Sequence, residues 1–378
     1  MTRRSSDSSS GSGVSSDRRL SGLRPALIAL ALAIAGCAGS KGPVFAPLQA
    51  PPRWPPPPAA PRIEYVGQLR TDRDLGKGRS LGEVVFGDES ARSMLSPYGV
   101  CTDGGDRVFV SDGNAQIVHV FDLASRRYES WPAGADDATD GAPALAQPLG
   151  LAWDPRGRLL VADGVGGQVF VMDGAGRNIG AIGPGVLTRP SGVAVDPASG
   201  RIFVADAAAH EVVVFDGAGS VQRRLGGRGV EPGQFNFPTN VALDREGRLY
   251  VSDSLNFRVQ VFDAELQPLR RIGGPGDRPG SFSQPKGLAI DGDRHLYVVD
   301  AHFESIQIFD DAGRLLLTFG REGHGPGEFW LPAGIHVDGR NRIWIADTYN
   351  RRVQVFQYLP EVGTIGAAPR QAQELEVE

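Results

Sequence analysis

Cysteine and histidine side chains are the groups that most readily hold a metal ion or act as nucleophiles, and this chain has few of them. Its 378 residues include two cysteines and six histidines. The histidines are scattered along the chain at His119, His210, His295, His302, His324 and His336. A catalytic zinc ion needs three protein ligands that converge on one point. This spacing assembles no such set, so the sequence predicts no metal site and no cofactor.

The two cysteines occupy unrelated positions. Cys37 ends an apolar stretch near the N-terminus, and Cys101 lies inside a short apolar segment of a repeat. Later repeats hold an alanine at the position of Cys101, namely Ala152, Ala194, Ala242 and Ala289. We therefore expect Cys101 to be a small buried side chain. A disulfide is not expected, because Cys37 is assigned another role below.

Aspartate recurs at a nearly constant interval and could supply catalytic carboxylates. Short apolar runs end at Asp112, Asp163, Asp206, Asp253, Asp300 and Asp347, which are 51, 43, 47, 47 and 47 residues apart. A second series occupies the turns before these runs, at Asp103, Asp154, Asp196, Asp244, Asp291 and Asp338. A catalytic role would have to be sixfold, so we expect both series to accept backbone N–H bonds in turns. The period itself indicates a repeat architecture.

Each repeat contains several short strands. In the third repeat, apolar runs occupy residues 192–195, 201–206, 212–215 and 221–225, and turns rich in Asp, Pro and Gly separate them. The central runs are apolar on both faces, so each small sheet must be covered on both sides. Four-stranded sheets packed face to face around an axis meet this requirement. Six repeats therefore predict an all-β fold, a six-bladed β-propeller.

The two ends of the repeat array predict how the ring closes. The sixth repeat has three strands, at 334–337, 343–346 and 353–356, before Leu359-Pro360 breaks the pattern. A single strand, Ile63–Leu69, precedes the first repeat. We predict that this strand completes the last blade and leaves no open sheet edge. The propeller would then span residues 63–359.

Several short sequence segments of the repeats resemble the NHL family of six-bladed propellers. They are 231–238 (EPGQFNFP), 325–332 (GPGEFWLP) and 347–356 (DTYNRRVQVF), and the longer acidic loop Trp131–Gln147 departs from the pattern. The resemblance implies the propeller fold and a binding surface, but no particular activity. Some NHL propellers bind RNA, and others are joined to zinc-binding ubiquitin-ligase modules. A formal net charge of −5 and two cysteines argue against both in this chain.

Function is expected where the repeats differ, at the face on which the inner strands begin. The prolines that open these strands are followed by Tyr98, Leu149, Ser191, Thr239, Lys286 and Ala333. The next residue is glycine in five repeats and Asn240 in the fourth, and the loops after the second strands add Asn114, Asn256, His302, Tyr349 and Asn350. We predict that the polar members form a funnel at the channel mouth that binds a partner or ligand. A solvated mouth without a dedicated ligand is the alternative.

The N-terminus predicts export. A basic region with Arg18, Arg19 and Arg24 precedes the apolar run 26–36, which is too short to span a membrane. The sequence 34–37 (IAGC) resembles a bacterial lipobox, whose cysteine is diacylated and becomes the first residue of the mature chain. Residues 1–37 are therefore assigned to a lipoprotein signal with Cys37 as the lipidation site, and an ordinary signal with a coincidental cysteine is the alternative. Ala38 follows the cysteine, which favours the outer membrane over the inner membrane.

Two segments flank the predicted propeller. Residues 38–62 are rich in proline, so we expect an extended and semi-rigid spacer. Residues 360–378 are polar and acidic, and we expect a disordered tail.

Three functions are compatible with these features. The preferred one is a membrane-anchored, exported scaffold that binds a protein partner in the bacterial cell envelope, without nucleic acid. The first alternative is a binder of cell-wall glycan or a small ligand through the channel mouth, where Tyr98 and Trp330 could stack on sugar rings. The second is a propeller lyase or lactonase-type enzyme with a divalent metal, calcium or zinc, in the channel. Resemblance reaches the peptide-amidating lyases, whose zinc is held by histidines after the blade prolines, but no histidine follows those prolines here.

Overall fold

The computed structural model describes residues 42–76, 92–132 and 144–360. All of its sheets belong to one compact unit, Val44–Glu378. The predicted signal segment with Cys37, and the predicted tail apart from its first residue, lie outside the described residues. Within the three described ranges, no helix is long and apolar enough to cross a membrane.

The chain forms six antiparallel sheets. It begins with β1 (Arg53–Trp54), β2 (Ile63–Leu69) and a short 3₁₀-helix, Asp72–Leu75. The first blade contains β3 (Pro97–Thr102), β4 (Arg107–Asp112), β5 (Ile117–Asp122) and β6 (Arg127–Trp131). The second contains β7 (Pro148–Asp154), β8 (Arg158–Asp163), β9 (Gln168–Met172) and β10 (Asn178–Ile182). The third contains β11 (Pro190–Val195), β12 (Ile202–Asp206), β13 (Glu211–Phe215) and β14 (Val221–Gly226).

The remaining blades follow the same order. The fourth contains β15 (Pro238–Leu243), β16 (Leu249–Asp253), β17 (Arg258–Phe262) and β18 (Pro268–Ile272), with a 3₁₀-turn, Ser254–Asn256, after β16. The fifth contains β19 (Pro285–Ile290), β20 (Leu296–Asp300), β21 (Ser305–Phe309) and β22 (Leu315–Phe319). The sixth combines β23 (Pro332–Val337), β24 (Arg342–Asp347) and β25 (Arg352–Tyr358) with β2 and β1. The predicted six-bladed propeller is confirmed.

The closing strand is also confirmed. β2 pairs antiparallel with β25, so that Tyr65 lies opposite Phe356 and Leu69 lies opposite Val353. Residues from before the first repeat therefore supply the fourth strand of the last blade. The backbone groups of β25 that would otherwise form an open sheet edge are paired.

The hydrophobic core lies between neighbouring blades. Six clusters of buried side chains each draw on two adjacent sheets. In one of them, Phe203 of the third blade packs with Leu249 and Phe262 of the fourth. Because both faces of a sheet contribute to such clusters, the strands read as continuous apolar runs rather than as alternating ones. Each large apolar side chain that is buried in this way contributes about 1.5–3 kcal/mol.

The proline-rich segment, predicted to be an extended and semi-rigid spacer, is docked on the propeller where the structure describes it. β1 pairs with β2, which brings Trp54 opposite Ile63. The Trp54 ring centroid lies 5.7 Å from that of Phe319 and 5.9 Å from that of Phe356. The segment is therefore attached to the core cluster between the fifth and sixth blades, and its strand extends the sixth sheet to five strands.

A second aromatic side chain attaches the same segment at another point. The Phe45 ring centroid lies 6.2 Å from that of Trp344, and the ring occupies the space beside Gly67, where an added Cβ would lie 2.6 Å from it. An aromatic side chain buries about 150–250 Å² in such a site, which favours docking over a hydrated, extended chain. The composition of the segment predicted an extended spacer. Composition alone does not show that another part of the chain offers an apolar surface on which the segment can dock.

Candidate functional site

The propeller has two faces of different construction. The loop face consists of the segments that precede the inner strands and those that follow the second strand of each blade. The turn face consists of the hairpins between the first and second strands and between the third and fourth. The predicted funnel residues belong to the loop face and to the first residues of the inner strands beneath it.

The aspartates that end the second strands hold the loop face together. Asp300 accepts the N–H groups of Ser283 and Gln284 at 2.7 and 3.0 Å, and those of His302 and Phe303 at 3.1 and 3.2 Å. The first pair precedes the inner strand of the blade and the second pair follows the second strand. The equivalent aspartates of the first two blades accept the same four kinds of bond. Their predicted structural role is confirmed.

The aspartates of the inner hairpins play the corresponding role on the turn face. Asp244 accepts the backbone N–H groups of Glu246 and Arg248, both at 2.9 Å, and the Nε–H of Arg248 at 2.6 Å. At Asp338, burial alone would raise the carboxyl pKa, but hydrogen bonds from Trp344 and Arg342 hold that pKa below its usual value. These carboxylates are thus used within the scaffold, as the repeat pattern predicted.

A channel with a cavity of about 440 Å³ runs along the axis of the ring. Tyr98 and Asn240 line it near the loop face, and Thr102 and His336 line it farther in. The His336 Nε2 atom lies 3.0 Å from the Thr102 hydroxyl oxygen. Burial lowers the pKa of His336 to about 4, although Asp338 acts in the opposite direction. The imidazole is therefore neutral near pH 7, and the channel offers hydrogen-bonding groups rather than a positive charge at this point.

Close packing between the inner strands of neighbouring blades narrows the channel at its loop-face end. The second residue after the proline that opens each inner strand is a glycine in five of the six blades, namely Gly99, Gly150, Gly192, Gly287 and Gly334. A Cβ added at Gly192 would lie 2.7 Å from the Cα of Asn240, and one at Gly334 would lie 2.3 Å from the carbonyl oxygen of Tyr98. Neighbouring inner strands therefore approach each other closely enough to require glycine. Asn240 supplies the one side chain among these six described positions.

Three predicted funnel residues use their polar groups inside the scaffold. The Thr239 hydroxyl is buried and lies 2.6 Å from the hydroxyl of Ser254. The Asn256 amide nitrogen donates to the carbonyl of Gly229 at 2.8 Å, and Asn350 makes the equivalent bond in the sixth blade, also at 2.8 Å. Each asparagine also donates to the aspartate that ends its second strand. The hydroxyl and the two amide groups are thus hydrogen-bonded within the scaffold, so they do not point into a funnel.

The other predicted residues are spread over the face rather than gathered. Asn114, His302 and Tyr349 are exposed on separate loops. Lys286 is half-buried, and burial lowers the pKa of its ammonium group. Burial raises the pKa of Tyr98 to about 12. The predicted residues therefore do not form a single funnel. Some of them line the channel, and others lie apart on the exposed loop face.

The most distinctive group on the loop face is a set of aromatic rings that we call the blade-6 patch, consisting of His324, Trp330 and Tyr349. The Trp330 ring centroid lies 5.4 Å from each of the other two. Trp330 is 42% exposed and Tyr349 is 56% exposed. Tyr349 is among the site residues predicted from the sequence and Trp330 is the predicted stacking candidate, but no sequence feature places His324 beside them. The sequence did contain one indication of this site: the position of Trp330 varies between repeats and is Asn236 in the fourth.

Two carboxylates flank the patch. Glu304 lies close to the backbone N–H of Leu331, which follows Trp330, and Glu322 pairs in a β-bridge with the residue that precedes Trp330. Burial raises the pKa of Glu304, and the charges of Glu322 and Asp347 raise it further. The charge of His302 acts on this pKa in the opposite direction, and Arg321, the neighbour of Glu322 in the sequence, pairs with Glu328.

The described residues include no group of three or more His, Cys, Asp or Glu side chains that could hold a metal ion. The sites that the structure does offer are hydrogen-bonding groups in the channel and aromatic and acidic groups on the loop face.

Comparisons with known proteins agree with this geometry. The NHL repeat family matches residues 187–215 and 235–262, and a family described as a 6-bladed beta-propeller matches residues 292–359. The sequence has no match among curated proteins.

Solved structures show the same fold at low sequence identity. A protein of unknown function from Bacteroides thetaiotaomicron is 17% identical with a TM-score of 0.56, over 71% of this chain and 70% of that one. An auxiliary nutrient binding protein from the same organism is 13% identical with a TM-score of 0.55, over 70% and 69%. A virginiamycin B lyase from Staphylococcus aureus is 15% identical with a TM-score of 0.50, over 70% and 96%. This chain is a six-bladed β-propeller that carries NHL repeats.

Proposed function

We propose that this protein is a binding scaffold of the bacterial cell envelope, and that the loop face of its propeller is the surface on which a protein partner docks. The observation that carries the proposal is the placement of exposed apolar side chains. Large apolar groups that face water in a cluster are typical of interaction surfaces. Aromatic residues in particular supply much of the binding energy at protein interfaces.

Exposed apolar side chains are concentrated on one face. The structure describes twelve large apolar residues that are exposed. Seven lie on the loop face, and they are Leu95, Val165, Val230, Leu255, Phe303, Trp330 and Tyr349. Four others lie on the outermost strands, at Ile179, Val221, Leu269 and Leu316, and the twelfth is Leu48. None of the twelve lies on the turn face.

The turn face has the opposite character. Its hairpins carry arginine–aspartate pairs four residues apart, namely Arg107–Asp103, Arg158–Asp154, Arg177–Asp173, Arg248–Asp244, Arg314–Asp310 and Arg342–Asp338. Such charged and hydrated groups cost energy to bury in an interface. A partner therefore gains more apolar contact, at a lower desolvation cost, on the loop face.

The docking proposal is tested by capturing a partner from solubilised envelopes with the purified propeller. Trp330→Ala combined with Tyr349→Ala should weaken capture at least about tenfold, because anchor side chains contribute about 2 kcal/mol or more each. The matched control is Arg177→Ala combined with Arg314→Ala, which truncates two turn-face side chains that are 75% and 82% exposed.

Each variant should keep the parent's melting temperature within a few degrees, which shows that the ring is intact. Loss of capture by the arginine pair, together with normal capture by the aromatic pair, would place the partner on the turn face and refute the proposal.

The envelope location rests on the N-terminal sequence, and it is proposed together with the docking role. The basic region, the short apolar run and Cys37 are arranged as in a lipoprotein signal, and Ala38 favours the outer membrane. Cys37→Ser should abolish incorporation of radiolabelled palmitate and leave the protein as an uncleaved precursor or as a soluble form. Unchanged labelling in this variant would show that Cys37 is not the lipid site.

A second candidate function is supported by the channel. A cavity of about 440 Å³ that is lined by Tyr98 and Asn240 at its loop-face end has the size of a small-ligand site. Binding of a small molecule or a glycan end there would make the protein a ligand carrier, a role that fits the printed description of one structural neighbour as an auxiliary nutrient binding protein. Asn240→Leu should abolish such binding and leave partner capture through the loop face unchanged.

A further inference from the structure

The blade-6 patch is built as a preformed surface. The backbone N–H of Trp330 donates to Asp347 at 2.8 Å, and the N–H of Tyr349 donates to the carbonyl of Trp330 at 3.1 Å. The Nδ1 atom of His324 lies 2.5 Å from the side-chain oxygen of Asn350. Three separate stretches of chain are thus bonded to one another beneath the rings. A ligand that binds there loses little energy to ordering the protein.

The scaffold does not require these residues. The fourth blade has the same backbone arrangement, in which Arg228 pairs with Phe235 as Glu322 pairs with Phe329, and His210 accepts the Phe237 N–H where Glu304 lies close to the equivalent N–H of Leu331. The five equivalent side chains there are Val230 for His324, Asn236 for Trp330, Leu255 for Tyr349, Arg228 for Glu322 and His210 for Glu304. The fold therefore forms without the rings and without either acid.

The combination of rings and acids selects a class of ligand. An aromatic face attracts a cation that lies over it, and Trp is the strongest of the aromatic side chains in this respect. Glu322 pairs with the residue that precedes Trp330 and Glu304 lies beside the residue that follows it, and neither forms an ion pair with a lysine or arginine among the described residues. A planar guanidinium group can stack on a ring and donate to a neighbouring carboxylate at the same time.

We propose that the blade-6 patch is a recognition site for an arginine side chain of the docking partner, held between the Trp330 and Tyr349 rings and the carboxylates of Glu304 and Glu322. This inference rests on the proposed docking role and names the chemistry of the partner. The charge of the site is complementary to guanidinium. At the equivalent position of the fourth blade, Arg228 and His210 replace the two acids, so that position would repel such a group.

The test uses a probe of known chemistry with the full-length protein. N-acetyl-arginine amide is titrated while the indole N–H resonance of Trp330 is followed by NMR, and this resonance is identified by its absence from Trp330→Phe. N-acetyl-citrulline amide has nearly the same shape without the charge. We expect the arginine probe to bind about fivefold or more tightly than the citrulline probe.

Two double variants separate charge from fold. Glu304→Gln with Glu322→Gln keeps an oxygen that can accept the Leu331 N–H, and it should reduce the affinity for the arginine probe to that for the citrulline probe. The matched control is Val230→Ala with Leu255→Ala at the equivalent site of the fourth blade, which should leave both affinities unchanged.

Several outcomes would overturn the assignment. Equal affinities for the two probes, or no shift of the Trp330 resonance with either, would exclude a guanidinium site. A shift with N,N′-diacetylchitobiose and none with the arginine probe would identify a sugar-stacking surface instead.

The inference and the docking proposal can fail separately. If the aromatic variant loses partner capture while the two probes bind equally, docking stands and the arginine assignment falls. If the arginine probe binds as expected while the aromatic variant still captures the partner, the cation site stands and the docking surface lies elsewhere.

Discussion

Arg352 provides a sharp test of how the ring is held closed. The side chain is 1% exposed, and its Nε–H donates to Asp347 at 2.7 Å. Its two terminal nitrogens donate to the Gln68 side chain at 3.0 Å and to three carbonyl groups in the loop 324–328 at 2.7–2.8 Å. One guanidinium thus joins the closing strand β2, the loop beneath the blade-6 patch and the aspartate that organises the sixth blade.

Arg352→Met removes these five bonds and leaves the carboxylate of Asp347 buried without its cation. Breaking a buried pair in this way costs about 3–5 kcal/mol, most of which comes from the unpaired charge. For a propeller of this size, that should lower the melting temperature by about 6–10 °C. Arg351→Met is the matched control, because Arg351 is the exposed neighbour and its replacement should change stability by less than about 0.5 kcal/mol.

The cost should depend on pH in a defined direction. Burial already raises the pKa of Asp347 in the folded protein, and loss of Arg352 removes two influences that lower it. A folded-state pKa above the unfolded value means that the folded protein binds the proton more tightly, so its relative stability rises as the pH falls. The destabilisation by Arg352→Met should therefore be smaller near about pH 5 than near about pH 7.5. Adding Asp347→Asn should restore part of the lost stability at the higher pH, since no buried charge remains.

The measurement is denaturant unfolding followed by tryptophan fluorescence, at both pH values, with parent and variants in parallel. The reasoning would be refuted if Arg352→Met unfolded at the same denaturant concentration as Arg351→Met. It would also be refuted if the cost of the substitution were larger at the lower pH, because the buried carboxylate would then not be its source.

Three further outcomes are expected. Gly192→Ala should destabilise the ring by about 1–3 kcal/mol, because the new Cβ meets the backbone of the neighbouring blade, whereas Gly339→Ala, with nothing within 4 Å, should be neutral; equal melting curves would show that the inner strands can move apart. Trp54→Ala should cost about 2–3 kcal/mol, while truncation of the exposed Leu48 costs less than about 0.5 kcal/mol; similar small effects would mean that the proline-rich segment is not docked. Burial raises the pKa of the Cys101 thiol, so in a chain without the other cysteine Ellman's reagent should react after unfolding and not before, and rapid labelling of the native protein would contradict this.

The sequence by itself determined the architecture. The recurrence of aspartate, proline and glycine at intervals near 47 residues identifies the repeats, and the two-sided apolar runs require sheets that are covered on both faces. Ring closure by Ile63–Leu69 follows from counting strands in the last repeat. The structural role of the repeated aspartates follows from their sixfold recurrence. All of these features are local or periodic, so they can be recognised in the amino-acid sequence without a structure.

The attachment of the proline-rich segment was decided by tertiary structure. Proline content describes what the backbone prefers in water, and it predicted an extended and semi-rigid spacer. It does not describe the apolar surfaces of the sixth blade that receive Phe45 and Trp54. A distant surface of this kind outweighs a local preference once a large aromatic side chain can be buried on it.

The candidate site was also decided largely by tertiary structure. Position in the repeat placed Tyr98 and Asn240 at the channel, but it treated Thr239 as equally available, although its hydroxyl is bonded to Ser254 of the same blade and lies 3.4 Å from the carbonyl of Pro285 in the next blade. The direction in which a loop side chain points depends on hydrogen bonds to another stretch of chain. Trp330 and Tyr349 are 19 residues apart, and they meet because both loops are bonded to Asp347 and to each other. The periodic sequence therefore determines the blades, whereas contacts between loops determine which of their side chains form a surface.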